Sequence, residues 1–312
     1  MFRLIILGLV VVNLISSCKP AASEQKEIEP VNISWSKDVP AKHEIINGSA
    51  ITYNDMIYVI SGKEARLMRY NPADYTWMDL AGLPGPRTET GVILWQDKIV
   101  VAGGTDDSSR FSRRVDYYDL KDQVWKSMTS LPDPRSRLTL SVQSGMLYVN
   151  FGICGPHDQS YTNCLEVLQY DEHLRVWKVQ AKLNSGRSGN IGMANNNTLY
   201  IIGGFGVDKK IGTVYINHTL KEFGFKQDIP KPRGNFGGVL AGDFILTFGG
   251  KTQESNSPME KYNIALDKWE SLGFCPFWTD RFASTRWHDR IYVFGGAQNP
   301  MQVWKGDIEF KK

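Results

Sequence analysis

The sequence predicts an all-β protein: six four-stranded sheets packed radially around an axis, which is a β-propeller. Three observations carry this. From Trp35, Trp77, Trp125, Trp177, Phe223 and Trp269, the position 27 residues on is Gly62, Gly104, Gly152, Gly204, Gly250 and Gly296. That glycine usually ends a hydrophobic run, as in IVVAGG, LYIIGG, FILTFGG and IYVFGG. Length variation is confined between the glycine and the next aromatic marker, in gaps of 15, 21, 25, 19 and 19 residues. Six copies at a period of 42 to 52 residues define a repeat architecture. One unit forms a small sheet whose apolar face it cannot bury alone, and radial stacking buries it. A fixed framework with one variable loop per repeat presents a binding face.

The N-terminal segment, MFRLIILGLVVVNLISSC, has a basic start at Arg3 and an apolar stretch from Leu4 to Ile15. That stretch is too short to favour a membrane span and reads as a signal peptide over residues 1–17. LISSC looks like a bacterial lipobox, with Cys18 the lipidated residue. An ordinary secretory cleavage with Cys18 incidental is the other reading. Residues 18–30 are polar and rich in Pro, Ala and Glu, and read as a lipidated tether. The propeller is then residues 31–312. The protein is expected to be exported and held by its lipid at a periplasmic or cell-surface membrane, as a monomer.

Within one unit the elements follow in order. TGVILW is the inner strand, DKIVVAGG the second, RRVDYYDL the third and QVWKSM the fourth. The fourth-to-first connections and second-to-third loops share one face. Its longer loops span residues 105–113, 154–164, 205–212 and 251–258. After Gly296 the last unit has room for one more strand, near Gln302 to Ile308. The missing outer strand is VNISWSKD at the other end, so the N-terminal strand is expected to close the ring. Closure hides sheet edges that invite aggregation.

Composition fits this reading. Nine Trp, thirteen Tyr and fourteen Phe suit flat cores between sheets, and 29 glycines suit tight turns. The net charge of +3, from 36 basic and 33 acidic residues, and the lack of a basic run point away from nucleic acid. Cys154 and Cys164 lie ten positions apart in the longest inter-repeat segment. In an exported protein they could form a disulfide or stay as free thiols. Cys275 is left to pack as a small hydrophobe.

The repeat resembles the Kelch motif. The phrases that carry the resemblance are GG…VDYYDLKDQVW, FG…VLQYDEHLRVW and GG…MEKYNIALDKW, and it covers roughly residues 31 to 310. Ser61 and Phe151 degrade two di-glycines, and Phe223 replaces a tryptophan. An arginine stands at position +10 in four units, as Arg87, Arg135, Arg187 and Arg233, with Arg281 read as a fifth, two residues late. Ile45 stands in that slot in the first unit. These arginines could ring the mouth as anion binders or tie loop carbonyls of neighbouring blades together.

Residues that break the repeat are better site candidates. Two positions after each arginine stand Glu89, Arg137, Gly189, Asn235 and Ala283, and the resemblance implies that polar residues here line a pocket. That selects Glu89, Arg137 and Asn235. The position after each di-glycine adds Lys63, Thr105, Phe205 and Lys251. Trp278, in GFCPFWTDRF, is an aromatic platform if exposed, whereas this segment plugs the ring seam if buried.

No metal or cofactor is expected. The five histidines show no ligand-like pairing, no Cys/His spacing suggests zinc, and there is no nucleophile elbow or phosphate loop. The leading expectation is a non-catalytic module recognising a protein or glycan at the loop face. The alternative implied by the resemblance is a sugar mutarotase or epimerase of the sialic-acid type. In it Glu89 would be the acid/base and Arg137 would hold the substrate carboxylate.

Overall fold

The computed structural model describes residues 29–155, 162–183, 185–196, 198–206, 213–217, 223–252 and 257–311. The expected signal peptide, Cys18 and the tether up to residue 28 lie outside the described residues, as do parts of three of the long loops. Among the described residues every regular element is a strand, and six antiparallel sheets have four strands each. In the second blade these are Gly91–Trp95, Lys98–Ala102, Val115–Asp119 and Val124–Met128. The inner strands of the six blades, Ser49–Tyr53, Gly91–Trp95, Thr139–Gln143, Ile191–Asn195, Gly237–Ala241 and Ala283–Trp287, touch one another in turn around the axis.

The core is divided among the seams. Each of six buried clusters joins two neighbouring blades. The repeat phrase explains why. Its tyrosine and tryptophan, seven residues apart, face each other across a hairpin: Tyr70 with Trp77, Tyr118 with Trp125, Tyr170 with Trp177 and Tyr262 with Trp269. Their ring centroids lie 4.7, 5.4, 5.0 and 4.9 Å apart. Such pairs add about 0.5–1.5 kcal/mol beyond area burial. The indole N–H then donates to the preceding connection: Trp125 to Ala81 O at 2.6 Å, Trp177 to Thr129 O at 2.9 Å and Trp269 to Gln227 O at 2.9 Å.

The ruler's glycine is a joint between blades. Gly104 N–H donates to Arg135 O at 2.8 Å, Gly152 to Arg187 O at 3.0 Å, Gly204 to Arg233 O at 2.8 Å and Gly250 to Thr279 O at 3.1 Å. Gly296 donates to Ile45 O at 2.8 Å and so links the last blade to the first. Gly104 has φ +98°, and a Cβ there would lie 2.7 Å from Thr88 O. Only glycine allows both that torsion and that approach.

The bonds these arginine side chains make among the described residues lie within their own blades, which differs from the expectation that they bind carbonyls of neighbouring ones. Arg87 pairs with Asp116 at 2.7 Å, and Arg233 with Glu260 at 2.5 Å, all fully buried. Arg135 donates to Glu166 O at 3.2 Å, and Arg187 to Gly203 O at 3.5 Å. Backbone amides do the joining instead, because the carbonyl of the arginine slot, not its guanidinium, faces the seam.

Pro30–Lys37 pairs antiparallel with Val303–Phe310, with Trp35 opposite Gly306 and Ile33 opposite Ile308. Pro30, read as the end of the tether, is thus already part of the sheet. Phe277 seals this seam, its ring 5.0 Å from Trp35 and 5.3 Å from Trp304. Phe282 is buried in the same cluster, whereas Phe274 and Trp278 stay about half exposed, so only part of the segment acts as the plug.

Candidate functional site

The loop face narrows to a ring of six residues, one from each blade entry: Asn47, Glu89, Arg137, Gly189, Asn235 and Arg281. All six have left-handed backbone, with φ of 52°, 57°, 55°, 62°, 54° and 57°. Five amide-to-carbonyl bonds link them in order. Arg137 N–H donates to Glu89 O at 2.9 Å, Gly189 to Arg137 O at 3.2 Å and Asn235 to Gly189 O at 2.9 Å. Arg281 donates to Asn235 O at 3.3 Å, and Asn47 to Arg281 O at 2.8 Å. Left-handed torsions cost of order 1–3 kcal/mol each away from glycine, and persist where the surroundings over-determine them. Here the hydrogen-bonded ring does so, and it turns the side chains to the mouth.

These six residues line an axial cavity of about 310 Å3. Below them its wall mixes small and polar residues, such as Ser49, Gly91, Thr139 and Ser284, with apolar ones such as Ile93, Leu140, Ile191 and Met193. That volume matches a small molecule rather than a protein surface.

The register of the last blade differs from expectation. Thr279, buried at the +10 position, fills the arginine slot, and its carbonyl takes the Gly250 N–H. Arg281 is therefore the mouth residue of its blade. Ala283, expected at the mouth, is buried on the inner strand. The ruler itself held the signal, since Trp269 plus ten is Thr279.

Of the expected site residues, Glu89, Arg137 and Asn235 converge on the cavity. Arg137 Nε donates to Glu89 Oε1 at 2.9 Å. Ser136 Oγ donates to Glu89 Oε2 at 3.2 Å. Thr105 Oγ1 shares a 2.7 Å hydrogen bond with Ser136 Oγ, so it supports Glu89 from behind. The carboxylate is thus fixed at both oxygens. Across the ring, Arg281 Nε stands 3.4 Å from Asp280 Oδ2. Asp280 is an acid that sequence reasoning did not place here.

Phe205 lies just outside the cavity lining. A Cβ at Gly189 would lie 3.3 Å from its ring, and one at Gly234 2.3 Å. The aromatic plate therefore occupies space that two missing side chains leave free. Lys63, Lys251 and Trp278 are exposed on loops and do not line the cavity. Cys154 and Cys164 are free thiols hydrogen-bonded to each other, a contact that lowers the Cys154 pKa and raises that of Cys164. The residues between them lie partly outside the described residues. No group of three or more potential metal-binding side chains forms among the described residues.

A model of the Kelch motif matches residues 86–132. Kelch-like protein 40 of Xenopus tropicalis is 25% identical over 157 residues, which are 47% of this chain and 25% of that protein. Beta-scruin of Limulus polyphemus is 22% identical over 210 residues, 64% of this chain and 23% of that protein. The chain spans about a quarter of the length of these curated relatives. Among solved structures, that of YjhT aligns with a TM-score of 0.74 at 14% identity, over 88% of this chain and 99% of that one. The shared element is the fold.

Proposed function

From the premise that this chain is a Kelch-repeat β-propeller, we propose that it is a recognition module whose axial mouth binds a small, hydroxyl-rich anion, such as the acidic end of a glycan. One observation carries this reading: Arg137 and Arg281 join Asn47, Asn235 and Glu89 around one cavity of about 310 Å3. Guanidinium groups match carboxylate oxygens, while amides and a carboxylate suit hydroxyls. A protein partner on the outer loops is compatible with this, since Kelch-like relatives also match.

Titration with N-acetylneuraminate, followed by calorimetry, tests the reading. Saturable binding that weakens in Arg137→Ala supports it. Absence of heat and of thermal stabilisation at millimolar ligand would sink it for this class of acid.

A second reading, a mutarotase, is favoured by the fixing of Glu89 at both oxygens beside Arg137. A held carboxylate can pass a proton between ring oxygen and anomeric hydroxyl. Anomer exchange measured by NMR separates the two. Exchange accelerated by the protein and lost in Glu89→Gln would mark an enzyme, whereas binding without acceleration marks a receptor.

The domain is proposed to sit on an exported lipid anchor, a reading that rests on LISSC. Cys18→Ser should abolish incorporation of radiolabelled palmitate and release the protein from the membrane fraction. Equal labelling of both forms would refute the anchor.

A further inference from the structure

The ring order places Arg137 and Arg281 at opposite vertices of a hexagon. From Arg137 the path to Arg281 runs through Gly189 and Asn235 on one side, and through Glu89 and Asn47 on the other. Each guanidinium has its Nε beside an acid: Arg137 Nε donates to Glu89 Oε1 at 2.9 Å, and Arg281 Nε makes a looser ion pair with Asp280 Oδ2 at 3.4 Å. Neither makes another hydrogen bond or ion pair among the described residues. Their side chains stay 38% and 43% exposed, while the acids are 19% and 14% exposed. The acids therefore act as inner braces, and the paired terminal nitrogens remain for a ligand.

We infer that the ligand of this mouth carries two anionic oxygen groups, one seated on the fork of Arg137 and the other on the fork of Arg281. This rests on the reading that the mouth binds an anion, and narrows it to a dianion spanning the axis. The physical reasons are geometric. A guanidinium fork donates to one carboxylate in a bidentate manner, and a neighbouring acid limits the side-chain freedom that binding would otherwise cost. Two such forks entering one cavity from opposite blades are matched better by two anionic groups than by one. The hydroxyl-rich middle of a ligand would meet the amides of Asn47 and Asn235, which also line the cavity. Since Glu89 and Asp280 cancel the formal charge of the two arginines, selection comes from the forks rather than from a long-range field, so salt should weaken it only modestly.

A matched series tests this on the folded domain. Sorbitol, gluconate and glucarate share a six-carbon polyhydroxy chain and carry no, one and two carboxylates. By calorimetry, glucarate should bind about tenfold or more tighter than gluconate, the gain expected of one further charge-assisted contact, with sorbitol weakest. Arg281→Gln and Arg137→Gln should each bring glucarate to within about threefold of gluconate. Unchanged melting curves will show that the variants fold. Equal affinity of gluconate and glucarate, or an Arg281→Gln variant that binds glucarate as tightly as the parent, overturns the two-point inference and leaves the anion-binding reading in place. Failure of gluconate, glucarate and N-acetylneuraminate alike removes both.

Discussion

Arg135 and Arg137 stand two positions apart and do opposite things. Arg135 is buried, bonds the Glu166 carbonyl and holds a repeated joint, while Arg137 is left-handed at φ 55° and faces the cavity. The same division separates Arg233 from Asn235 and Thr279 from Arg281. Removing one partner of a fully buried ion pair leaves an uncompensated charge and costs about 3–5 kcal/mol. Arg233→Ala, which strands Glu260 in the core, should therefore lower unfolding stability by about that much in denaturant titration. Arg137→Ala should leave stability nearly unchanged and weaken ligand binding by about 1.5–3 kcal/mol, the worth of a hydrogen bond to a charged group. If both changes lower stability alike and neither touches binding, the division is wrong.

At the scale of the element, the N-terminal strand is fastened as well as paired. Lys261, almost fully buried on the strand Pro258–Asn263, donates to the Glu29 carboxylate and to Pro30 O at 3.2 Å, and pairs with Glu270 at 3.1 Å. Its bonds hold Glu29 and Glu270 below the usual carboxylate range, Lys268 adding to the effect at Glu270. Burial alone would lower the lysine's pKa, but the two acids outweigh it and raise it. A depressed carboxylate contributes stability that is complete above its unfolded pKa and is lost as pH falls through its folded one. The melting temperature of the parent should thus fall as pH drops below about 4.5, the ordinary carboxylate range, and on into stronger acid. Lys261→Met, which keeps apolar volume and removes the cation, should flatten that acid slope. Parallel slopes in the two proteins would show that this cluster is not linked to unfolding.

For the whole molecule the decisive feature is closure. A radial stack has two free ends unless the first and last blades meet, and here Pro30–Lys37 completes the sheet of Ala283–Trp287, Arg290–Phe294 and Val303–Phe310. Deleting residues 31–38 would strip that strand and expose the edge of Val303–Phe310. We expect a lower melting temperature and concentration-dependent aggregation in light scattering. A deletion that melts like the parent and stays monodisperse would show that the ring does not depend on this strand. Closure also sets orientation. Pro30 pairs with Phe310 at the end of the sheet remote from Gly296 and the mouth.

The sequence by itself determined the number of repeats, the strand order within one unit, the aromatic and glycine joints and the outer strand supplied from the N-terminus. These are set by short-range spacing, Tyr to Trp or Trp to Gly, and a repeat prints each spacing several times. It also singled out Glu89, Arg137 and Asn235, because they break the repeat next to a regular arginine. Tertiary structure decided the rest. The mouth takes one residue from each blade, and Asn47 and Arg281, which are bonded neighbours, come from opposite ends of the chain. No local pattern records that contact. The arginine of the last blade was displaced to the mouth because Thr279 fills its slot, and Phe205 approaches the ring only because Gly189 and Gly234 leave room for it. Lys63 and Lys251 share a sequence position with Thr105 and Phe205, yet side-chain direction after a di-glycine depends on the loop that follows, and those loops differ in every repeat.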